Sequence, residues 1–170
     1  GIKAFLKAEL EKMRASMRAQ RSNDASTETT GQVPEIPLGA LTESRRLGEG
    51  AFGVVCEGTY YGSEVAIKKL KGTTPSLLAD LRQEAAMHYG LNHPNIIRLF
   101  GASTVDVSRA CLVLELAESS LDDNLHGRFA RPPSNELASR VAHQLACGLA
   151  YLHSKHVFHR DLKPKNVLCC

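Results

Sequence analysis

The sequence predicts an α+β fold, in which a strand-rich part is followed by a mainly helical part. Short runs of β-branched and aromatic residues fill residues 41–70, with glycine and a Tyr-Tyr-Gly triplet between them. A helical pattern interrupts the strands after residue 74, and beyond residue 117 the apolar residues recur mainly at helical spacing. Five strands with one inserted helix, followed by further helices, is an α+β arrangement.

The strand-like runs cover residues 43–49, 53–60, 63–70, 95–101 and 110–116. The inserted helix begins with Thr74 as its cap and Pro75 at the first helical position, where the missing N–H costs nothing. It runs to about Tyr89, and Gly90 is a suitable C-terminal stop.

A long helix is predicted from about Ser134, with a loop after it at residues 154–166. The apolar residues of one helix face are Leu137, Val141, Leu145, Leu149 and Leu152. The chain has 170 residues, of which 43% are hydrophobic, and this is enough for one domain with a real core.

Two segments precede this domain. Residues 1–21 predict an amphipathic basic helix, because apolar residues recur at steps of three and four. A linker helix docked on another part of the protein is one interpretation, and a basic segment on a membrane surface is the alternative. Residues 22–40 are rich in Ser, Thr, Asn, Gly and Pro and predict a flexible linker.

Composition narrows the function classes. A formal net charge of +3 is too weak to argue for or against nucleic acid, whose footprint is a concentrated basic patch. Only the predicted basic helix at residues 1–21 would support a nucleic-acid partner, and no nucleic-acid partner is expected. The sequence has no run of about 18 apolar residues, the length that a membrane span needs, and its start lacks the apolar region of a secretory signal.

The cysteines are not spaced as a metal site. None of the five forms a Cys-x-x-Cys pair or has a histidine at zinc spacing. Buried or free thiols in a reducing cytosol are the expected state. A redox or reactive role is the alternative, with Cys56 as its candidate because it lies next to a glycine motif.

That glycine motif runs from Leu47 to Val55 and contains G-x-G-x-x-G. Glycines let backbone amides approach phosphate oxygens because no Cβ intervenes. A dinucleotide-binding fingerprint shares the pattern, but it needs a helix immediately after the glycines. Residues 54–60 are strand-like instead, so the motif predicts a strand–glycine turn–strand hairpin over phosphate groups.

Lys68 ends a strand-like Val-Ala-Ile-Lys run, 15 residues after Gly53. A lone lysine there would ordinarily lie on the surface with its stem along apolar neighbours. Its position after the glycine motif favours a Lys68 side chain that points into a cleft instead.

Glu84 falls within the apolar stripe of the inserted helix. An acid buried alone is costly, so a cationic partner is expected. Lys68 is the predicted partner, and Arg82 or water is the alternative.

The segment from His159 to Asn166 reads His-Arg-Asp-Leu-Lys-Pro-Lys-Asn. Asp161 can accept a hydroxyl proton or hold the hydroxyl in line. Lys163 can neutralise charge on a transferred phosphoryl group, and Asn166 can ligate magnesium as a hard oxygen donor. The string is specific even in isolation.

The glycine motif, Lys68, Glu84 and the segment His159–Asn166 occur in this order along the chain. Together they resemble the protein kinase family, over residues 41–170. The resemblance implies a two-lobe fold, with a complete five-stranded small lobe at 41–117 and only the start of the helical large lobe at 118–170. It also implies ATP and Mg²⁺ as cofactors, and phosphoryl transfer to serine or threonine hydroxyls of a protein substrate.

The same resemblance assigns roles to individual residues. The nucleotide site would comprise Leu47, Gly48, Glu49, Gly50, Ala51, Phe52, Gly53, Val55, Ala66, Lys68, Glu84, Leu114, Glu115, Ala117 and Leu168. Within it, Lys68 would bind phosphates, Leu114 would be the gatekeeper, and the backbone of Glu115 and Ala117 would bind adenine. The catalytic residues would be Asp161, Lys163, Asn166 and Lys68, with Asn166 as the metal ligand.

Finer features refine the resemblance. Lys163-Pro164 is similar to the serine/threonine pattern, whereas tyrosine-specific members usually carry alanine and arginine there. Residues 58–65 and 146–154 resemble the tyrosine-kinase-like branch. The expected location is cytoplasmic, or the cytoplasmic portion of a membrane-anchored protein, with membrane contact only through an upstream anchor.

Two features depart from the family pattern. His88 stands four residues after Glu84, where the family usually has an aliphatic residue, and this is expected to loosen the active state or make it pH-sensitive. The sequence contains neither Asp-Phe-Gly nor Ala-Pro-Glu, so residues 1–170 alone are expected to lack a complete catalytic set. A kinase-like, non-catalytic nucleotide-binding or regulatory module is therefore the alternative function.

Overall fold

The computed structural model describes residues 1–4, 32–50, 53–72, 74–127 and 133–170. Its larger sheet has five antiparallel strands, which are β2 (Leu41–Gly50), β3 (Gly53–Tyr60), β4 (Ser63–Leu70), β5 (Leu99–Ser103) and β6 (Cys111–Glu115). Side by side in the sheet they lie in the order β2-β3-β4-β6-β5. The predicted α+β class and the five-stranded sheet are confirmed.

Helix α1 (Pro75–Tyr89) begins and ends where its local signals predict. The Thr74 side chain accepts a hydrogen bond from the Leu77 N–H at 3.3 Å, and Pro75 occupies the first position. Gly90 is the C-terminal cap. The buried residues of α1 are Leu78, Leu81, Glu84, Ala85 and His88, which agree with the predicted inward face.

Strand β4 separates two apolar layers, because successive side chains point to opposite faces of a sheet. Val65 and Ile67 pack with Ile36 on one face. Ala66 belongs to the other layer, which includes Leu81 of α1. Lys68 is two residues after Ala66 in β4, so its side chain points to the same face of the sheet, which α1 covers.

The second part of the chain contains a small sheet and two helices. Its elements are β7 (Ser119–Ser120), α2 (Leu121–His126), α3 (Asn135–Ser154), a 3₁₀ turn (Pro164–Asn166) and β8 (Val167–Cys169). Strand β8 lies between β7 and a strand from the start of the chain, β1 (Ile2–Ala4), in the order β1-β8-β7. Among the described residues, no helix combines the length and apolar character needed to cross a membrane.

Strand β1 corrects part of the sequence prediction. Residues 2–4 form a strand paired with β8 and not the start of a helix, because the edge of β8 accepts their backbone groups. Ile2 is buried, and Lys3 pairs with Glu115 at the end of β6. The remainder of the predicted helix, residues 5–21, lies outside the described residues.

The segment predicted as a flexible linker is partly described. Residues 22–31 lie outside the described part of the chain. Ile36 is only 1% exposed and its N–H donates to the Ala102 carbonyl at 2.8 Å, and Leu38–Ala40 form a 3₁₀ turn. Residues 35–40 are therefore packed against the sheet, since a flexible linker would not bury Ile36.

Helix α3 approaches the sheet part at one point. A Cβ on Gly148 would lie 2.9 Å from the Asn95 carbonyl oxygen, so only glycine allows this approach. Leu152 completes the contact by packing on Leu91 and Ile96. Val157, in the loop that follows α3, packs on the same cluster.

Candidate active site

A cleft of about 630 Å³ lies between the β2–β3 hairpin, the end of β6 and the loop before β8. This volume is within the range of roughly 300–1,000 Å³ that is usual for small-molecule sites. The predicted site residues that line it are Leu47, Gly48, Glu49, Gly53, Val55, Ala66, Lys68, Leu114, Glu115, Ala117, Lys163, Asn166 and Leu168. The fold therefore brings most of the predicted set into one cavity.

Two predicted site residues contact the lining without being part of it. Glu84 lies beside Lys68, and Asp161 lies beside Lys163 and Asn166, each in direct contact with a lining residue. Gly50 pairs with Gly53 at the end of the hairpin. Ala51 and Phe52 lie outside the described residues.

The glycine hairpin has the predicted strand–turn–strand form. Strands β2 and β3 are antiparallel, so the motif does not lead into a helix as a dinucleotide fingerprint would. Gly53 has φ of +151°, and a Cβ there would lie 1.8 Å from the Lys69 carbonyl oxygen. A Cβ on Gly48 would meet nothing within 4 Å. Gly53 is thus required by the sheet, whereas Gly48 leaves open space beside the cleft.

Lys68 and Glu84 form a buried ion pair across the sheet–helix interface. The Lys68 Nζ lies 2.6 Å from the Glu84 Oε1, and each side chain is 8% exposed. The apolar residues around Glu84 on α1 fix which side of the helix faces β4. The geometry therefore places a fixed positive charge at the wall of the cleft, as the sequence predicted.

Apolar side chains form the inner part of the cleft. Ala66 and Leu114 belong to the core between the sheet and α1, and Val55 and Leu168 pack against that core. Leu168 comes from β8, so both parts of the chain contribute to one apolar slot. A flat apolar ring is the type of group that such a slot accommodates.

The end of β6 offers backbone groups to a ligand. The Glu115 N–H donates to the Arg98 carbonyl at 2.9 Å. The Glu115 side chain is also held, because its Oε2 accepts from the Arg98 N–H at 3.1 Å and its Oε1 pairs with Lys3. A base that bonds to the backbone of Glu115 would therefore use its carbonyl oxygen.

The loop before β8 holds three polar residues together. The Asn166 Nδ2 donates to the Asp161 carbonyl at 2.8 Å and to its Oδ2 at 2.9 Å. The Lys163 Nζ lies 2.9 Å from the Asp161 Oδ1. Asn166 is buried, whereas the side chains of Asp161 and Lys163 are 26% and 44% exposed. The buried amide of Asn166 thus orients the Asp161 carboxylate, which remains accessible to solvent and to a bound molecule.

A backbone turn sets the direction of this carboxylate. Arg160 adopts φ of +58°, which is uncommon for a residue with a side chain. The Asp161 N–H donates to the carbonyl of buried His159 at 2.8 Å. The turn fixes the backbone of Asp161 between the buried histidine and Asn166.

Sequence reasoning missed several other residues that line the cleft. These are Ile97, Leu116, Glu118, Ser119, Ser120, Asp122, Asp123 and Lys165. Ser120 and Asp123 form a capping box at the start of α2, and hydrogen bonds from Ser120 lower the pKa of Asp123. The Ser-x-x-Asp spacing was a readable signal for this helix start.

The five cysteines are free thiols. Burial raises the pKa of Cys111 to about 11, and burial is also the main cause that raises the pKa of Cys170. Both thiols stay protonated at neutral pH, and a protonated thiol is a poor nucleophile and metal ligand. Among the described residues, no cluster of three or more His, Cys, Asp or Glu side chains is placed to hold a metal ion.

Comparison with known proteins gives a family match over most of the chain. The family model described as protein tyrosine and serine/threonine kinase matches residues 41–170. This is the range over which the sequence motifs resembled that family.

Similar proteins come from distant organisms. Mitogen-activated protein kinase kinase kinase 7 of Homo sapiens is 40% identical over 143 residues, which cover 79% of this chain and 22% of that protein. A "Probable serine/threonine-protein kinase" of Dictyostelium discoideum is 38% identical over 137 residues, or 79% of this chain and 15% of its own length. The chain thus spans less than a quarter of the length of these two relatives. The match over residues 41–170 shows that the chain belongs to the family of protein tyrosine and serine/threonine kinases.

Proposed function

We propose that this chain forms the ATP-binding part of a protein kinase that phosphorylates serine and threonine hydroxyls of protein substrates. One observation carries the proposal: a single cleft joins the glycine hairpin, the lysine held by Glu84, and the loop of Asp161 and Asn166. The serine/threonine assignment rests on Lys163-Pro164 and on the similarity to the Dictyostelium serine/threonine-protein kinase.

Each part of the cleft has a distinct task in this proposal. The apolar slot of Val55, Ala66 and Leu168 takes the adenine ring. The hairpin covers the phosphates, and Lys68 binds phosphate oxygens because Glu84 fixes the position of its ammonium group.

The loop before β8 acts on the acceptor. Asp161 accepts the hydrogen bond of the substrate hydroxyl and orients its oxygen for in-line attack on the γ-phosphorus. Lys163, 2.9 Å from Asp161, adds positive charge beside the transferred group. Its exposure leaves it free to follow the charge during transfer.

The donor set also fits Mg²⁺. Because the Asn166 Nδ2 donates to Asp161, the other atom of the amide, its oxygen, is the one left to face a ligand. Mg²⁺ prefers hard oxygen ligands and is commonly held by one or two protein groups plus phosphate oxygens. The ion would neutralise phosphate charge, with Asn166 as its ligand in this chain.

Further assignments rest on the sequence resemblance. We place the chain in the tyrosine-kinase-like branch on the basis of residues 58–65 and 146–154. The free thiols fit a reducing compartment, and we propose a cytoplasmic location.

Replacement of Asp161 tests the proposed chemistry. In the full-length protein, Asp161→Asn is expected to lower kcat by roughly 10²–10⁴-fold, because the group that orients the hydroxyl loses its charge. ATP affinity should change little, since Asp161 does not line the cleft. Initial rates with a generic protein substrate and ATP titrations measure the two effects.

Asp106→Asn is the matched control. Asp106 is an exposed aspartate outside the cleft that accepts from Ser108, and asparagine can accept the same bond. Near-normal turnover of the Asp161→Asn protein would contradict the assignment. ATP binding without transfer in the unmodified full-length protein would favour the non-catalytic module.

A further inference from the structure

Three charged side chains meet at the end of the glycine hairpin. The Glu49 carboxylate, near the tip of β2, pairs through its Oε1 with the ammonium group of Lys71. Its Oε2 pairs with the guanidinium group of Arg46. These three residues, Arg46, Glu49 and Lys71, are called the hairpin triad below. Two positive charges and one negative charge give the triad a net charge of +1.

The register of the sheet brings the triad together. Gly53 pairs with Leu70, so Lys71, the next residue, lies just beyond the end of β3 and close to the hairpin tip. Glu49 pairs with Val54 on the other side of the same hairpin. Strand β3 lies between β2 and β4, and the Lys71 side chain reaches Glu49 only because β3 begins where it does.

Only one member of the hairpin triad lines the cleft. Glu49 is part of the lining, whereas Arg46 and Lys71 are not. The hairpin therefore presents a carboxylate to the cavity in which the proposed function places phosphate groups. An uncompensated carboxylate would repel a polyanion there, so the two cations on its oxygens decide whether the hairpin attracts or repels phosphate.

The ion pairs of the triad contribute little to the stability of the fold itself. The side chains of Glu49, Lys71 and Arg46 are 33%, 50% and 56% exposed, and water and salt weaken such exposed pairs. A polyanion bound beside Glu49 is a different case. Its charges would lie within about one Debye length of all three residues, which is about 8–10 Å at ordinary ionic strength.

A second ion pair between the same two strands has no such relation to the cleft. The Lys69 Nζ lies 2.5 Å from the Glu43 Oε2, and these side chains are 35% and 43% exposed. Neither Lys69 nor Glu43 lines the cleft. This pair has the same two residue types and similar exposure, so it is a matched reference for the triad.

We propose that the hairpin triad sets the affinity of the cleft for the phosphate part of a nucleotide. In this proposal Glu49 is a specificity-determining residue, and Lys71 and Arg46 are positioning residues that hold its carboxylate and offset its charge. The inference rests on the proposed function, because it assumes that a nucleotide occupies the cleft. It adds that the triad, together with Lys68, distinguishes adenine compounds by the number of their phosphate charges.

Binding of Mg-ATP and of adenosine to the full-length protein tests this charge balance. Dissociation constants are measured for the wild type, for Lys71→Met, for Glu49→Gln and for the double variant. Methionine removes the charge of lysine but keeps a flexible unbranched chain. Lys69→Met and Glu43→Gln, in the pair away from the cleft, are the matched controls.

The expected effect is confined to the ligand that carries phosphate. Lys71→Met removes the net positive charge of the triad, so the Kd for Mg-ATP should rise about fivefold. The Kd for adenosine, which has no phosphate, should change by less than about 1.5-fold. Adding Glu49→Gln restores the net charge and should return the Kd for Mg-ATP to within about twofold of wild type. The two control variants should change neither Kd by more than about 1.5-fold.

Salt provides a second readout. The fivefold effect of Lys71→Met should fall below about twofold at 1 M salt, where the Debye length is only about 3 Å. An unchanged Kd for Mg-ATP in Lys71→Met, or no recovery on adding Glu49→Gln, would overturn the proposal. An equal loss for adenosine would also overturn it, because that result would mean that the substitution only loosens the hairpin. Failure of the wild-type protein to bind Mg-ATP would instead contradict the proposed function, and with it this inference.

Discussion

Helices α1 and α3 both carry an apolar stripe, but they bury it to different extents. Helix α1 buries Leu81 and its neighbours, together with a charged and a polar residue. Helix α3 is longer, yet only Gly148 and Leu152 are buried, and Leu137 is 48% exposed. The two helices differ in what they pack against. Helix α1 lies on a five-stranded sheet, whereas α3 contacts the sheet part mainly near Asn95.

The same contrast extends to the charged groups of the cleft. The lysine from the sheet part is fixed by a buried acid, whereas Lys163 and Asp161 from the helical part remain accessible. A buried group keeps a fixed position, and an exposed group can respond to a substrate. The two sides of the cleft therefore suit the different tasks that the proposed function gives them, which are nucleotide positioning and reaction with the acceptor.

The largest expected effect separates the two lysines. Lys68→Met leaves the Glu84 carboxylate buried without its lysine, which is expected to cost about 3–5 kcal/mol of unfolding free energy. Lys163→Met, in an exposed pair, is expected to cost less than about 1 kcal/mol. Urea denaturation of both variants measures the difference.

Adding Glu84→Gln to Lys68→Met sharpens this test. The double variant should lose much less than the sum of the single losses, because the two residues act as a pair. Additive losses, or equal losses at Lys68 and Lys163, would show that the buried and exposed pairs do not differ as described.

The next effect concerns the two apolar stripes. Leu81→Ala removes a fully buried side chain and is expected to cost about 2–5 kcal/mol. Leu137→Ala, at the exposed end of α3, should change stability by no more than about 0.5 kcal/mol. Thermal or denaturant unfolding of the two variants checks the contrast.

A large loss at Leu137 would mean that α3 is covered in solution. Sedimentation at several concentrations would then show whether a second copy of the chain covers it, since exposed apolar faces favour self-association. A concentration-independent monomer with a large loss at Leu137 would contradict the exposed stripe.

Much of the sheet part could be predicted because its signals are local. Thr74-Pro75 and Gly90 placed both ends of α1, and the stripe of that helix placed Glu84 on the inward side. The Lys68–Glu84 pair followed, because a buried acid needs a cation. Each of these steps needed only a few neighbouring residues.

Other features depend on contacts between distant parts of the sequence. The pairing of Ile2 with Cys169 has no local signal, and apolar spacing near the start of the chain predicted a helix instead. The burial of Ile36 depends on the outer face of the sheet, which the neighbouring Pro34, Glu35 and Pro37 do not indicate. Asp122 lines the cleft only because α2 lies beside it in the folded chain.

The smallest expected effect tests the cap of α2. Ser120→Ala removes the two bonds that the Ser120 hydroxyl makes with Asp123 and is expected to cost about 1 kcal/mol at neutral pH. Because the bond that this hydroxyl donates lowers the pKa of the Asp123 carboxylate, its contribution is present above about pH 4 and is lost as the pH falls below it. The free energy of unfolding of the Ser120→Ala and wild-type chains, measured at neutral pH and below about pH 4, tests this pH dependence. Ser119→Ala is the matched control.

Strand β1 also has a consequence for synthesis on the ribosome. Chains emerge from their first residue onward, at roughly 5–20 residues per second. Ile2–Ala4 is therefore made long before its pairing partner, Val167–Cys169. The five-stranded sheet can form while β1 still lacks this partner, so β1 can join its sheet only after β8 has been made.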